Sequence, residues 1–125
     1  SKRYYKMLTE KEFHVDGKGN IKYKGNEKQK WRKTHYYLTV HRVNTSYIMT
    51  KGQKTRAKEI IDKFPLYKIH SRINNKAIIL GICIYIMRKD GRGRQIHFTK
   101  GLPIEFGLKK QHYNVIERNL DRLLK

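Results

Sequence analysis

Acidic side chains are scarce in this chain: ten Asp and Glu stand against thirty Lys and Arg in 125 residues, a formal net charge of +20. Such an imbalance costs self-repulsion in the compact state, so a polyanionic partner is the natural reason to carry it. Phosphate contacts would then supply a large, salt-dependent share of the affinity. Cysteine is rarer still. Cys83 stands alone, which excludes an intrachain disulfide framework and leaves no paired cysteines for a structural zinc site. It sits in the apolar run Ala77–Met87 and reads as a small buried hydrophobe instead of a reactive thiol. Long apolar runs are missing too. Ala77–Met87 is too short for a bilayer, which needs about 20 apolar residues. The basic start Ser1–Lys6 has no apolar segment behind it of the kind a secretory leader requires. A soluble, intracellular protein associated with nucleic acid, in a nucleoid or a nucleus, is therefore expected, with no membrane partner. The initial Ser and terminal Lys suggest a piece of a longer protein. No internal repeat or low-complexity tract is present.

What the chain does contain is punctuation and periodicity. Phe13–Asp16 and Ile21–Lys24 alternate apolar and polar residues around Gly17-Lys18-Gly19-Asn20, the pattern of a short β-hairpin. Residues 1–33 read as a basic arm able to form that hairpin, and residues 34–125 as a helical domain. Thr34 can cap a first helix, in which Tyr37, Val40, Val43 (or Asn44) and Tyr47 fall at three-to-four spacing. Thr50-Lys51-Gly52 breaks it. Ala57, Ile60, Ile61 and Phe64 mark one apolar stripe on a second helix, which Pro65 ends. Asn74 or Asn75 can cap a third, Lys76 to about Lys89, apolar almost all round and so expected at the centre of a bundle. Gly81 in its middle costs about 1 kcal/mol against Ala, and close approach of a neighbouring helix would explain it.

Asp90–Arg94 reads as a flexible basic turn and Gln95–Phe98 as a short extended link. Thr99 is expected to cap a short fourth helix whose apolar residues are Leu102, Ile104 and Phe106, with Pro103 in its first turn. Gly107 can take a left-handed turn, and Leu108 anchors that turn to the core. On the fifth helix Tyr113, Ile116, Leu120, Leu123 and Leu124 share one face, while Gln111, Asn114, Val115, Arg118 and Arg122 share the other. The expected fold class is mainly α: five helices ending in a helix-turn-helix, behind a basic arm.

A helix-turn-helix on so basic a chain points to duplex DNA, its second helix entering the major groove by its N-terminal end. Gln111 and Asn114 suit bidentate contacts to adenine, and Arg118 suits guanine or a phosphate. Lys109 and Lys110 stand where backbone amides also favour phosphate. Arg92, Arg94 and Lys100 could clamp the flanking backbone. In the arm, Lys28, Lys30, Arg32 and Lys33 alternate with Gln29 and Trp31. These cations read as electrostatic anchors, and Trp31 as packing where the arm meets the domain.

Signs of catalysis are thin. His14, His35, His41, His70, His97 and His112 are scattered without metal-ligand spacing, and neither a metal nor a cofactor is expected. Glu10, Glu12, Asp16 and Glu27 match no nuclease motif. Gly91-Arg92-Gly93-Arg94 lacks the Lys and the strand-loop-helix setting of a nucleotide-binding loop. An enzyme is not expected.

In the order and length of its helices, Lys33–Lys125 resembles one cyclin-like repeat of the transcription factor IIB family, including its archaeal and viral relatives. The pieces that carry the likeness are Arg56-Ala57-Lys58-Glu59-Ile60-Ile61, the run Asn75–Ile86, and Phe98–Leu108 with the helix beyond it. The resemblance implies that the last two helices are a DNA-binding helix-turn-helix flanking a promoter element, with Lys109, Gln111, Asn114 and Arg118 in contact. That family normally has two repeats and a Cys-rich zinc ribbon, whereas these residues make one repeat and no ribbon. The last fifty or so residues are also similar to winged-helix domains of plasmid and viral regulators, in which a wing would need a hairpin after Leu124. The expected function is duplex-DNA binding in transcription, as a regulator or an initiation-factor-like protein, with the transcription machinery a further partner. A non-catalytic RNA-binding or ribosome-associated protein is the alternative, and a metal-dependent nuclease or recombination component a more distant one.

Overall fold

A computed structural model describes the backbone of residues 13–15, 21–23, 27–91 and 96–125, and side chains from residue 33 onward. The chain divides into two compact units, residues 1–35 and 36–125.

In the first unit β1 (Phe13–Val15) pairs antiparallel with β2 (Ile21–Tyr23), with Phe13 opposite Tyr23 and Val15 opposite Ile21. Both strands fall where the alternating pattern suggests a hairpin. The first helix, α1 (Glu27–Tyr47), begins seven residues before Thr34. Thr34 is therefore a mid-helix residue and not the start of the helix. The stretch from Glu27 to Lys33 holds neither Gly nor Pro, and Glu, Lys, Gln and Arg are good helix formers, so no local signal delays the start.

The second unit carries the core. Tyr37, Val40 and Val43 of α1 are buried. The helix ends at Ile48, a β-branched residue with φ 49° in the left-handed region, a conformation that costs roughly 1–2 kcal/mol. Asn44 holds it there: its carbonyl accepts from Ile48 N at 2.9 Å and its Oδ1 from Met49 N at 2.7 Å. Thr50 then opens α2 (Lys51–Lys63) instead of merely breaking α1. Thr50 Oγ1 accepts from Gln53 N at 3.1 Å and Gln53 Oε1 accepts from Thr50 N at 2.9 Å, a reciprocal capping box. Pro65 sits ahead of a one-turn helix, α3 (Leu66–Ile69), that the periodicity did not suggest. Four residues are too few to show a period, but Leu66 and Ile69 are buried.

The third of the expected helices is α4 (Asn75–Lys89), capped by Asn74, whose Oδ1 accepts from Ala77 N at 2.9 Å. Every residue from Ala77 to Met87 is buried, and α2, α3, α5 (Leu102–Phe106) and α6 (Lys110–Leu123) all pack on it. Its central place is what an all-round apolar helix requires. Gly81 is the point of closest approach, since a Cβ there would lie 2.5 Å from Ile116 Cδ1 of α6. Cys83 is fully buried, and burial pushes its thiol up to about 12. The chain is mainly helical, with six helices among the described residues instead of five. No described helix is long and apolar enough to cross a membrane.

Candidate nucleic-acid interface

The site is built on the junction of α5 and α6. Thr99 does not cap α5. Gly101 holds that place, with φ 70° and ψ −144°, a backbone conformation open to Gly and closed to side chains. Leu102, Pro103 and Phe106 are buried, but Ile104 is 61% exposed. In a five-residue helix the inward face spans little more than one turn, and Ile104 falls outside it. Gly107 takes the left-handed conformation at φ 77°. Its N–H donates to Ile104 O at 3.2 Å while Leu108 N donates to Pro103 O at 2.7 Å, the paired closure of a Schellman turn. Leu108 is buried beneath it. Asn74 Nδ2 donates to Phe106 O at 2.9 Å, so one residue caps α4 and fastens the turn.

Ties to α4 hold α6 in place. Asn74 lies at Phe106 and Gly107, Gly81 meets Ile116, and Tyr85 and Lys89 reach Asp121. The Asn74 tie sets the N-terminal, partially positive end of α4 beside the turn that leads into α6. Tyr113, Ile116 and Leu120 bury the inner face of α6. Asn119 Nδ2 donates to Ile69 O at 2.8 Å, joining α6 to α3. Arg88 stacks 4.7 Å from the Tyr113 ring centroid and 5.7 Å from that of Phe98. Tyr113 Oη is buried without a hydrogen bond of normal geometry, and burial raises its pKa.

The outward face keeps the predicted polar residues, while Val115, expected among them, is half-buried. Lys109, Lys110, Gln111, Asn114 and Arg118 are all exposed, as is Arg122. Leu123 is half-buried and Leu124 lies just past the helix, 36% exposed, so the inner stripe ends at Leu120. At the start of α6, His112 Nδ1 accepts from Lys109 N at 3.2 Å. An imidazole that accepts through Nδ1 carries its proton on Nε2. The His112 ring lies edge-on to His70, centroids 5.5 Å apart, and His70 Nδ1 accepts from Arg72 N at 3.1 Å. Burial, then His112 and Arg72, hold the His70 imidazole below its ordinary pKa.

Acidic groups serve as ties between helices. Arg42 Nη2 donates to both Glu105 carboxylate oxygens at 2.9 Å. Asp90 accepts from Gln53 Nε2 at 2.9 Å and pairs with Arg56 at 3.7 Å. Asp121 accepts from Tyr85 Oη at 2.7 Å and pairs with Lys89 at 3.2 Å. Tyr37 Oη donates to Asp62. These ties leave much of the lysine and arginine surface facing outward, including every α6 position named above.

Other expected contacts are placed differently. Lys100 is exposed ahead of α5, whereas Arg92 and Arg94 lie outside the described residues. Lys28, Lys30 and Arg32 belong to α1 by backbone, their side chains outside the description. Lys33 is half-buried and engaged. Glu10, Glu12 and Asp16 also lie outside the described residues, as does the Glu27 side chain. Among the described residues no group of three or more His, Cys, Asp or Glu could hold a metal ion. The sequence reading missed the His70–His112 contact and the Asn119 tie, for which a single sequence carries no signal. It also missed the Thr50–Gln53 box, which the Thr-x-x-Gln spacing does signal. Comparison with protein-family models, curated proteins and solved structures finds no match for this chain.

Proposed function

We propose that this protein binds duplex DNA in transcription, with α6 lying in a major groove. In this reading α5, the three-residue turn Gly107–Lys109 and α6 act as a helix-turn-helix, within a domain related to the cyclin-like repeat of the transcription factor IIB family. The observation that carries the reading is the outward face of α6. Gln111, Asn114 and Arg118 are exposed together beside Lys109 and Lys110, and no acidic residue occurs between Glu105 and Glu117. Amide and guanidinium groups at that spacing match the hydrogen-bonding edges of adenine and guanine. The lysines at the helix start meet phosphate where the helix dipole assists them. Lys100 and the arm cations Lys28, Lys30, Arg32 and Lys33, with Arg92 and Arg94, then add sequence-independent affinity.

Selection of bound duplexes from a random pool tests this directly. An enriched motif is expected, and Asn114→Ala should relax preference at one position of it, by about 1–3 kcal/mol of discrimination. Lys110→Ala should weaken all duplexes evenly. A pool that enriches nothing, with structured RNA bound as tightly as duplex at every salt concentration, would replace this reading with RNA binding.

A further inference from the structure

Beside the start of α6 lies a basic strip that the α6 reading does not use. Between Asp62 and Asp90 the chain has no acidic residue. Within that stretch Lys68, Arg72 and Lys76 are exposed, and Tyr67 exposes 67% of its surface although it is aromatic. The strip is fixed to α6 at two points, by the Asn119 hydrogen bond to Ile69 O and by the edge-on contact of His70 with His112. The Asn74 bond to Phe106 O fastens its far end to the turn before α6. Both imidazoles use Nδ1 as an acceptor from backbone, so each carries N–H at Nε2 and neither adds negative charge. The acids that flank the two segments in sequence are already engaged, Asp62 by Tyr37 and Glu105 by Arg42. Asn74 sets the N-terminal end of α4 at the far end of the strip, where its partial positive charge adds to that of the cations.

Resting on the α6 reading, we propose that Tyr67, Lys68 and Arg72 form a second contact strip that grips the duplex phosphate backbone beside the groove α6 enters. Lys68 and Arg72 supply the charge. Tyr67 supplies an apolar face against the sugar and a hydroxyl toward phosphate. The strip carries no base-reading geometry, so it contributes affinity and register but not sequence preference.

Fluorescence anisotropy titrations of the full chain against its selected duplex and a scrambled one, over a series of salt concentrations, test the strip. Lys68→Ala/Arg72→Ala should flatten the slope of log K against log salt by about 1.8, from roughly 0.9 per phosphate contact. The loss should be equal on both duplexes, and Lys68→Arg/Arg72→Lys should restore it. Lys51→Ala/Lys54→Ala removes the same charge from the start of α2, which meets Asp90 at the other end of α4, and should leave the slope nearly unchanged. An equal flattening by both double variants would overturn the strip in favour of diffuse charge. So would a strip variant that weakens structured RNA and spares duplex. If Asn114→Ala keeps its base-dependent effect while the strip variant has none, the strip fails and the α6 reading stands. If the strip variant behaves as expected and Asn114→Ala is silent on every sequence, it is base readout by α6 that fails.

Discussion

Helices α4 and α6 pack against each other and differ in length by one residue, 15 against 14. One buries every side chain from Ala77 to Met87, while the other buries Tyr113, Ile116 and Leu120. The difference is one of periodicity. An all-apolar helix has no face to spare and must be enclosed, whereas one with a single apolar stripe is held along that stripe and offers the remainder to solvent or ligand. In this protein the enclosed helix is the scaffold against which the exposed one is fixed, at Gly81, Tyr85 and Lys89. The open face of α6 is therefore held from behind by buried contacts.

The largest expected effects test this asymmetry directly. Ile82→Ala in α4 should cost about 2–5 kcal/mol, the range for emptying a well-packed core site. Gln111→Ala on the open face of α6 should stay within about 0.5 kcal/mol. Urea unfolding midpoints at constant m-value measure both, and equal losses would break the comparison. Gly81→Ala probes the seam between the helices. Alanine would gain about 1 kcal/mol of helix propensity, but its Cβ would meet Ile116 Cδ1 at 2.5 Å and Cγ2 at 3.3 Å. Ile116 is fully buried, so overpacking of about 1–3 kcal/mol should outweigh that gain and leave a net loss of up to about 2 kcal/mol. Ile116→Val deletes the Cδ1 atom. The double variant should be more stable than the two single losses predict, by at least about 0.5 kcal/mol.

Much of this seam was legible in the residues. The apolar circumference of Ala77–Met87 implied a central helix, Gly81 implied close approach, and Gly107-Leu108 implied a left-handed turn with an anchor. All three signals are local and have few competing explanations. The helix starts were less legible: Thr34 and Thr99 are plausible caps, but the chain folds past one and places Gly101 where the other was expected. Capping residues bias a boundary by about 1 kcal/mol, less than the burial of neighbouring side chains. Ile48 shows the same ordering, since an apolar β-branched residue occupies a left-handed turn because Asn44 and the buried Met49 hold the chain there. The exposure of the α6 face was legible from its stripe. The neighbouring strip around Tyr67 was not, because it joins α6 through contacts between residues 50 and 42 positions apart in sequence. No local pattern encodes such a pairing.

A smaller effect sharpens the contrast in polarity between the two buried faces. The α6 stripe contains a buried hydroxyl, Tyr113 Oη, that completes no hydrogen bond of normal geometry. Tyr113→Phe removes that desolvated group and keeps the ring against Phe98 and Arg88. Stability should rise by about 1 kcal/mol, the low end of the cost of an unsatisfied buried polar group. A loss of stability of similar size would mean that the hydroxyl is paired in solution, with Glu117 or Arg88 the nearest candidates.

The smallest expected effect separates the flank of α6 from the start of α4 by what titrates there. Asn74 caps α4 with an amide that does not titrate, whereas His70, edge-on to His112, accepts from Arg72 N through Nδ1. Burial first, then His112 and Arg72, hold the folded-state pKa of His70 below the ordinary value of about 6.5. The unfolded chain therefore takes its proton first as pH falls. The stability that neutral His70 contributes is present above that value and is lost as pH drops through the folded-state one. His70→Gln removes this titration, so relative to the variant the native chain should lose stability between pH 7 and pH 5. His41, also held low by burial, titrates in both proteins and cancels from the difference. Hydrogen exchange should localise the loss to the amide of Arg72 and its neighbours, leaving those of residues 75–78 unchanged. Equal acceleration at both places would show that the acid effect is global and that His70 is not its source.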